Sequence, residues 1–270
     1  MNLWTPFGLF SGIALVLGAI VMSTDRWEVF WSVSGLAIVV GGVLATALIS
    51  YPMRELARIT KVIKIVLTRE TGDLGAVVRD IQAMAAMISR EGLDAVDEQL
   101  DQVHSPFLRD GVEMVLENVA PEEIGTVMDR RIEMTLEREL GEAKVLRTLG
   151  KIAPAFGMIG TVIGLIIMMI NLDVNHFDKL GLGLATALTT TFYGLVISNL
   201  LLSPLANRLE ARAEERAAEM RIITEGVLLL ARRMPATLVH HRLLAFIPPR
   251  MWSGVPTAET THKALDQAPN

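Results

Sequence analysis

The stretch TALTTTFYGL, residues 186–195, sets hydroxyls at Thr186, Thr189, Thr190 and Thr191 into an otherwise apolar run. In hydrocarbon a threonine hydroxyl has two uses. It bonds the carbonyl four residues back in its own helix, or it offers an oxygen to a passing cation in place of water. A lone threonine needs only the first. Three consecutive threonines face different sides of a helix, which weakens the first use as the whole explanation without removing it. The run IAPAFGMIGTVIGL, residues 152–165, adds Thr161 among Ala153, Gly157, Gly160 and Gly164 at three-to-four spacing, and Gly183, Ala187 and Gly194 repeat that spacing around the triple threonine. Small residues so placed admit a second helix at close range, from the same chain or from a partner.

Three other groups of residues invite a role. Pro154 and Pro204 each delete a backbone hydrogen bond where a long apolar run meets a charged one, which bends the helix or hinges it. The run ISREGLDAVDEQL, residues 88–100, carries Arg90, Glu91, Asp94, Asp97 and Glu98; it reads either as a solvated helical face or as a charged docking surface. His240 and His241 close a basic helix and are expected at the surface. No nucleophile, base and metal-ligand residues cluster, and there is no cysteine, so an enzyme is not expected.

The elements that must position these residues follow from hydropathy. Residues 4–22, 29–50, 152–172 and 180–204 are four blocks without Asp, Glu, Lys, Arg or His, and each is long enough to span a ~30 Å hydrocarbon core. The first lacks the basic leader of a signal peptide and is followed at once by the second. Cations flank one side: Arg54, Arg58, Lys61 and Lys64 after the second block, Arg147 and Lys151 before the third, Arg208 and Arg212 after the fourth. The short loops hold only Arg26 and Lys179, beside acids. Four spans in two hairpins, with both termini and the long 51–151 segment in the cytoplasm, satisfy this asymmetry.

The polar segments read as helices. Residues 74–100 repeat apolar side chains at three-to-four spacing until Gly92, and Pro121 followed by Glu122 and Glu123 marks a helix start. From there opposite charges run continuously into the third span, and the fourth span continues into NRLEARAEERAAEMRIITEG in the same manner. The expected fold is an all-α membrane protein: hairpins at 1–50 and 152–204, a helical domain at 51–151, helices at 205–251, and a polar, disordered tail at 252–270. A net charge of −5 without a basic stripe gives no support for nucleic-acid binding. Because no span carries an ionisable side chain, the chain alone has no group to bind and release a proton, and an ion path through it needs a carboxylate from another subunit.

APAFGMIGTVIGL resembles the signature of the MotA/TolQ/ExbB superfamily, and TTTFYGLVISNLLLSPLANRL extends the likeness. Four spans, SREGLDAVDE and ITEGVLLLARRMPATLVHHRLLAFIPP are similar to the flagellar branch rather than to the three-span TolQ and ExbB. The likeness reaches about Met251. It implies a flagellar stator subunit of the inner membrane, five copies of which surround a MotB/PomB-type partner. That partner has one span, bearing the ion-binding aspartate, and a peptidoglycan-binding domain. By the same resemblance Thr161, Thr190 and Thr191 line the ion path; Gly157, Gly160, Gly164 and Gly194 pack against the partner helix; Pro154 and Pro204 are linked to torque; and Arg90 and Glu98, with Asp94 and Asp97 beside them, contact the rotor protein FliG. Ser89 and Glu91 flank Arg90 where many members have a cationic pair. No cofactor is implied beyond the transported Na+ or H+, and threonine at both 190 and 191 follows the sodium-type pattern. The alternative is a TolQ/ExbB-like or other ion-driven subunit that energises envelope processes.

Overall fold

The computed structural model describes residues 4–68, 74–97, 100, 103, 105–170 and 177–246. Among them ten α-helices appear and no strand. The chain divides into two compact units, Met1–Glu70 with Glu139–Arg212, and Thr71–Arg138 with Ala213–Asn270.

The first unit contains α1 (Trp4–Ser23), a 3-10 turn (Trp27–Phe30), α2 (Val33–Ser50) and α3 (Met53–Thr68). It also holds the latter part of α7 (Pro121–Ile170), α8 (Phe177–Val196), a π-helical segment (Ile197–Leu202) and the start of α9 (Ser203–Ala231). Ser32 caps α2, its hydroxyl accepting from the Gly35 N–H at 3.1 Å. Val43 and Ala47 of α2, Ile59 of α3, Leu146, Leu149 and Ala153 of α7 and Leu209 of α9 form one buried cluster. Residues 51–68, read from sequence with the cytoplasmic segment, therefore pack within this unit. Arg147 bonds both Asn207 and Glu210 across α7 and α9. Arg58 reaches Glu142 at 2.6 Å, which neutralises a carboxylate side chain only 4% exposed.

The apolar helices of this unit expose an apolar exterior, with Ile49, Met158, Val162, Ile166 and Ile170 all exposed, while its charged residues, such as Arg54, Lys61, Lys144 and Lys151, stand exposed elsewhere on it. Monomeric soluble proteins rarely show such continuous apolar surface, and a bilayer is the solvent that suits it. Among the described residues three stretches, Trp27–Ser50, Pro121–Ile170 and Gly183–Ala231, are long and apolar enough to cross a membrane. Phe7–Ser23 in α1 is apolar but shorter.

The second unit is a helical core around α4 (Leu74–Glu91), α6 (Pro106–Leu116) and α10 (Ala236–Leu244), with the beginning of α7 and the end of α9. α4 buries Val77, Val78, Ile81 and Met84 on one face, as its periodicity predicts. It stops at Gly92, whose φ of +94° is left-handed and ends the helix before the short α5 (Asp94–Asp97). Ser105 caps α6 ahead of Pro106, and α7 opens on Pro121 with Glu122 and Glu123 in its first turn, as expected.

One surface expectation fails here. His240 is buried, while its neighbour His241 is exposed. The register of α10 turns Val239, His240 and Leu243 inward, and the Gln82 amide of α4 meets His240 Nδ1 at 2.5 Å. Burial, and then the adjacent His241, hold the His240 imidazole below its ordinary pKa. The expected tail, 252–270, lies outside the described residues.

Candidate functional site: a hydroxyl cluster between two membrane helices

α7 and α8 meet along small residues. A Cβ on Gly194 would sit 2.7 Å from Ala153 O, one on Gly157 3.0 Å from Thr191 Cα, one on Gly160 2.0 Å from Thr190 Cγ2, and one on Gly164 2.9 Å from Ala187 Cα. The glycines read from sequence as a face for a partner helix are thus taken up by the chain's own α7–α8 contact, because no side chain fits between the two backbones at this distance. The helix pair is antiparallel, with positions three or four apart on one helix answering the same spacing on the other.

That close approach brings hydroxyls together. Thr161 Oγ1 and Thr191 Oγ1 lie 2.7 Å apart, and both reach Gly157 O, at 3.0 Å and 3.2 Å. Two hydroxyl protons serve three contacts, so oxygen lone pairs remain unspent. The cluster therefore presents three neutral oxygens in partly buried positions, the donor set a hard cation takes when it sheds water. Among the described residues no three acidic or histidine side chains gather as metal ligands.

The triple threonine divides its work. Thr189 Oγ1 bonds Ala185 O at 2.7 Å and also reaches Val29 O at 3.3 Å; Thr190 Oγ1 bonds Thr186 O at 2.7 Å. Both follow the local alternative of bonding the carbonyl four residues back. Thr190 is fully buried, wedged between Gly160 of α7 and Gly35 of α2. Of the three, Thr191 is the one whose hydroxyl bonds atoms of α7. Successive helix positions differ by about 100°, so neighbouring threonines cannot share one face.

The two prolines meet at a residue that the sequence reading missed. Pro154 has no N–H, which deprives Gly150 O of its helical donor; the Ser198 hydroxyl, buried, donates to that carbonyl at 2.7 Å. Ser198 lies in the π-helical segment, and its own carbonyl accepts from the Ser203 N–H, immediately before Pro204. A π-turn ahead of a proline absorbs the bond that the ring removes. The available signal was the carbonyl that Pro154 leaves without a donor, although spacing alone does not say who answers it.

A second missed residue is Tyr193. Its hydroxyl donates to Phe30 O at 2.5 Å and accepts from the Ser32 N–H at 2.9 Å, while Phe30 and Phe192 meet edge to face at 6.0 Å. The connection between α1 and α2 therefore joins α8 at Thr189–Tyr193, beside the hydroxyl cluster and about 20 Å of helix from the start of α8.

The charged run forms part of the second unit. Arg90 ends α4, where a cation suits the helix C-terminus, and Asp94 and Asp97 stand on α5; all three are exposed. Glu98 lies outside the described residues.

Residues 99–222, which contain the hydroxyl cluster and both prolines, match the profile of the MotA/TolQ/ExbB proton channel family. The chain is 29% identical over 252 residues to Motility protein A of Borreliella burgdorferi, covering 93% of this chain and 95% of that one. It is 30% identical over 230 residues to Chemotaxis protein PomA of Vibrio alginolyticus, covering 85% and 89%. The structure of C. jejuni MotAB shares the fold with a TM-score of 0.85 at 23% identity, over 92% of this chain and 97% of that one. With a 30% identical relative matched over most of both chains, and the family profile spanning the helices that carry the hydroxyl cluster, the chain belongs to the MotA/TolQ/ExbB proton channel family, in its flagellar stator branch.

Proposed function

We propose that this chain is a multi-pass stator subunit of the inner membrane that couples cation influx to torque on the flagellar rotor, and that it is not an enzyme. The observation that carries the reading is the Thr161–Thr191–Gly157 oxygen cluster, set in a helix pair whose apolar spans hold no ionisable side chain. Oxygens that can replace water are present, and the titrating charge is not; it comes from a MotB/PomB-type partner helix carrying a carboxylate. Four spans place both termini and the second unit in the cytoplasm, as the cation flanks require. Five copies surround the partner, which is anchored to peptidoglycan. A cation entering from outside neutralises the partner's carboxylate, relieving its desolvation cost, and the partner helix then shifts against the surrounding wall. About 2.3 kcal/mol per charge per 100 mV is available for the step. Pro154, Pro204 and the Ser198 bond between them form the bending point, and Arg90, Asp94, Asp97 and Glu98 pass the movement to FliG.

Sodium is the proposed ion, since it needs several oxygens where a proton needs one carboxylate and a water path. Two assays test the proposal. Deletion of the gene should yield cells that build flagella but do not turn them; full motility in a strain without any second stator set contradicts the stator role. Swimming speed should rise with external sodium at fixed pH, and Thr191→Ala and Thr190→Ala should weaken that dependence. Sodium-independent swimming overturns the choice of ion while leaving the stator role intact.

A further inference from the structure

We propose that Tyr193 is a positioning residue for cation entry: its hydroxyl fixes the α1–α2 connection and the first turn of α2 against the hydroxyl-bearing stretch of α8. The inference rests on the stator reading and deepens it. Tyr193 uses both capacities of its phenol, donating to Phe30 O and accepting from the Ser32 N–H. Ser32 is also the cap of α2, so one side chain of α8 holds the residue from which α2 begins. Three residues into α2, Gly35 comes so close to Thr190 that a Cβ there would lie 3.0 Å from the Thr190 hydroxyl. Thr189, one turn from Tyr193 on the same helix, spends its single hydroxyl proton mainly on Ala185 O at 2.7 Å and lies 3.3 Å from Val29 O, so the phenol of Tyr193 is the stronger tie to the connection.

The chain of contacts thus runs from the phenol to Ser32, from Ser32 to the start of α2, and from Gly35 to Thr190. Thr190 in turn fills the space against Gly160, beside the Thr161–Thr191 pair. Loss of the phenolic hydroxyl frees the Ser32 N–H and the Phe30 carbonyl and lets the start of α2 move relative to Thr190. The cluster keeps its oxygens but not their spacing. Cation affinity should therefore fall, while the torque delivered once the path is saturated should not.

The test uses the full stator complex in a deletion strain complemented with the wild-type chain, Tyr193→Phe or Phe192→Leu. Swimming speed is measured against external sodium at fixed pH and against external pH at fixed sodium, and membrane levels of each variant are measured by immunoblot. Tyr193→Phe should raise the half-saturating concentration of the driving ion by about threefold to tenfold, part of the worth of the two hydrogen bonds lost, with saturating speed near that of wild type. Phe192→Leu removes the ring contact with Phe30 but keeps the phenol, and should leave half-saturation within about twofold. The proposal is overturned if Tyr193→Phe leaves half-saturation unchanged, if it lowers only the maximum speed, if Phe192→Leu shifts half-saturation equally, or if Tyr193→Phe fails to accumulate in the membrane. Failure of the wild-type chain to restore rotation would instead contradict the stator reading beneath it.

Discussion

Replacing Ser198 by alanine removes the hydroxyl that donates to Gly150 O, the carbonyl that Pro154 leaves without its helical N–H. Both ends of this bond lie within the packed face between α7 and the π-helical segment, where Ser198 is 6% exposed and Gly150 is buried. A buried carbonyl that loses its donor costs about 1–3 kcal/mol, more than the net worth of an ordinary hydrogen bond, because its desolvation is no longer offset. The mechanism makes a sharper prediction through a double-mutant cycle. Pro154→Ala restores an N–H to position 154 and hence a helical donor for Gly150 O, so Ser198→Ala should be nearly neutral in that background. The coupling between the two substitutions should then be about 1–3 kcal/mol. Denaturant titration of the four purified proteins in one detergent, followed by helical circular dichroism, measures it, provided the slopes agree. An equal cost of Ser198→Ala in both backgrounds would refute the pairing of Ser198 with the Pro154 gap.

The remaining predictions concern packing, charge and pH. Gly194→Ala drives a methyl to within 2.7 Å of Ala153 O, a backbone atom that cannot rotate away, and should cost about 1–3 kcal/mol; Gly41→Ala meets open space and should be neutral in the same titration. Arg58→Ala strips the guanidinium from the buried Glu142 carboxylate and should cost about 3 kcal/mol, at the low end for a broken buried pair because Arg58 is 43% exposed; the double substitution Arg58→Met with Glu142→Met should recover most of that loss in thermal stability. His240 is held neutral by burial, so the unfolded chain binds the proton first as pH falls. Stability of the second unit is full above the ordinary imidazole value of about 6.5 and declines below it, toward the lower folded pKa. Denaturant midpoints measured from neutral pH downward should show this slope, and His240→Gln should flatten it.

Hydropathy made the membrane helices legible because a bilayer demands runs of a narrow length, and the helices of the second unit were legible because α4 repeats its apolar face over 18 residues. The same logic failed at His240. In the short run ATLVHHRLL the apolar residues fit more than one register, and tertiary packing, which buries Val239 and Leu243 in the core and sets Gln82 against His240, selects the one that exposes His241. Sequence also treated Thr190 and Thr191 alike. Their division of labour depends on which side of α8 faces Gly160, a tertiary fact about a helix with small residues on several sides. The glycines were legible as sites of close approach, but not the identity of the approaching helix, because small-residue spacing is the same for a neighbour in the chain and for a partner. Ser198 and Tyr193 escaped notice because each completes a hydrogen-bond requirement created far away in sequence, at Gly150 and at Phe30 with Ser32.

The most direct measurement of the central claim is rotation of a single tethered cell in a deletion strain while expression of the chain is induced together with its proposed MotB-type partner. Speed should return in discrete, equal increments as stator complexes join the motor, and should collapse reversibly when the transmembrane ion gradient is dissipated. Rotation at full speed before induction, or rotation that survives loss of the gradient, would contradict the account.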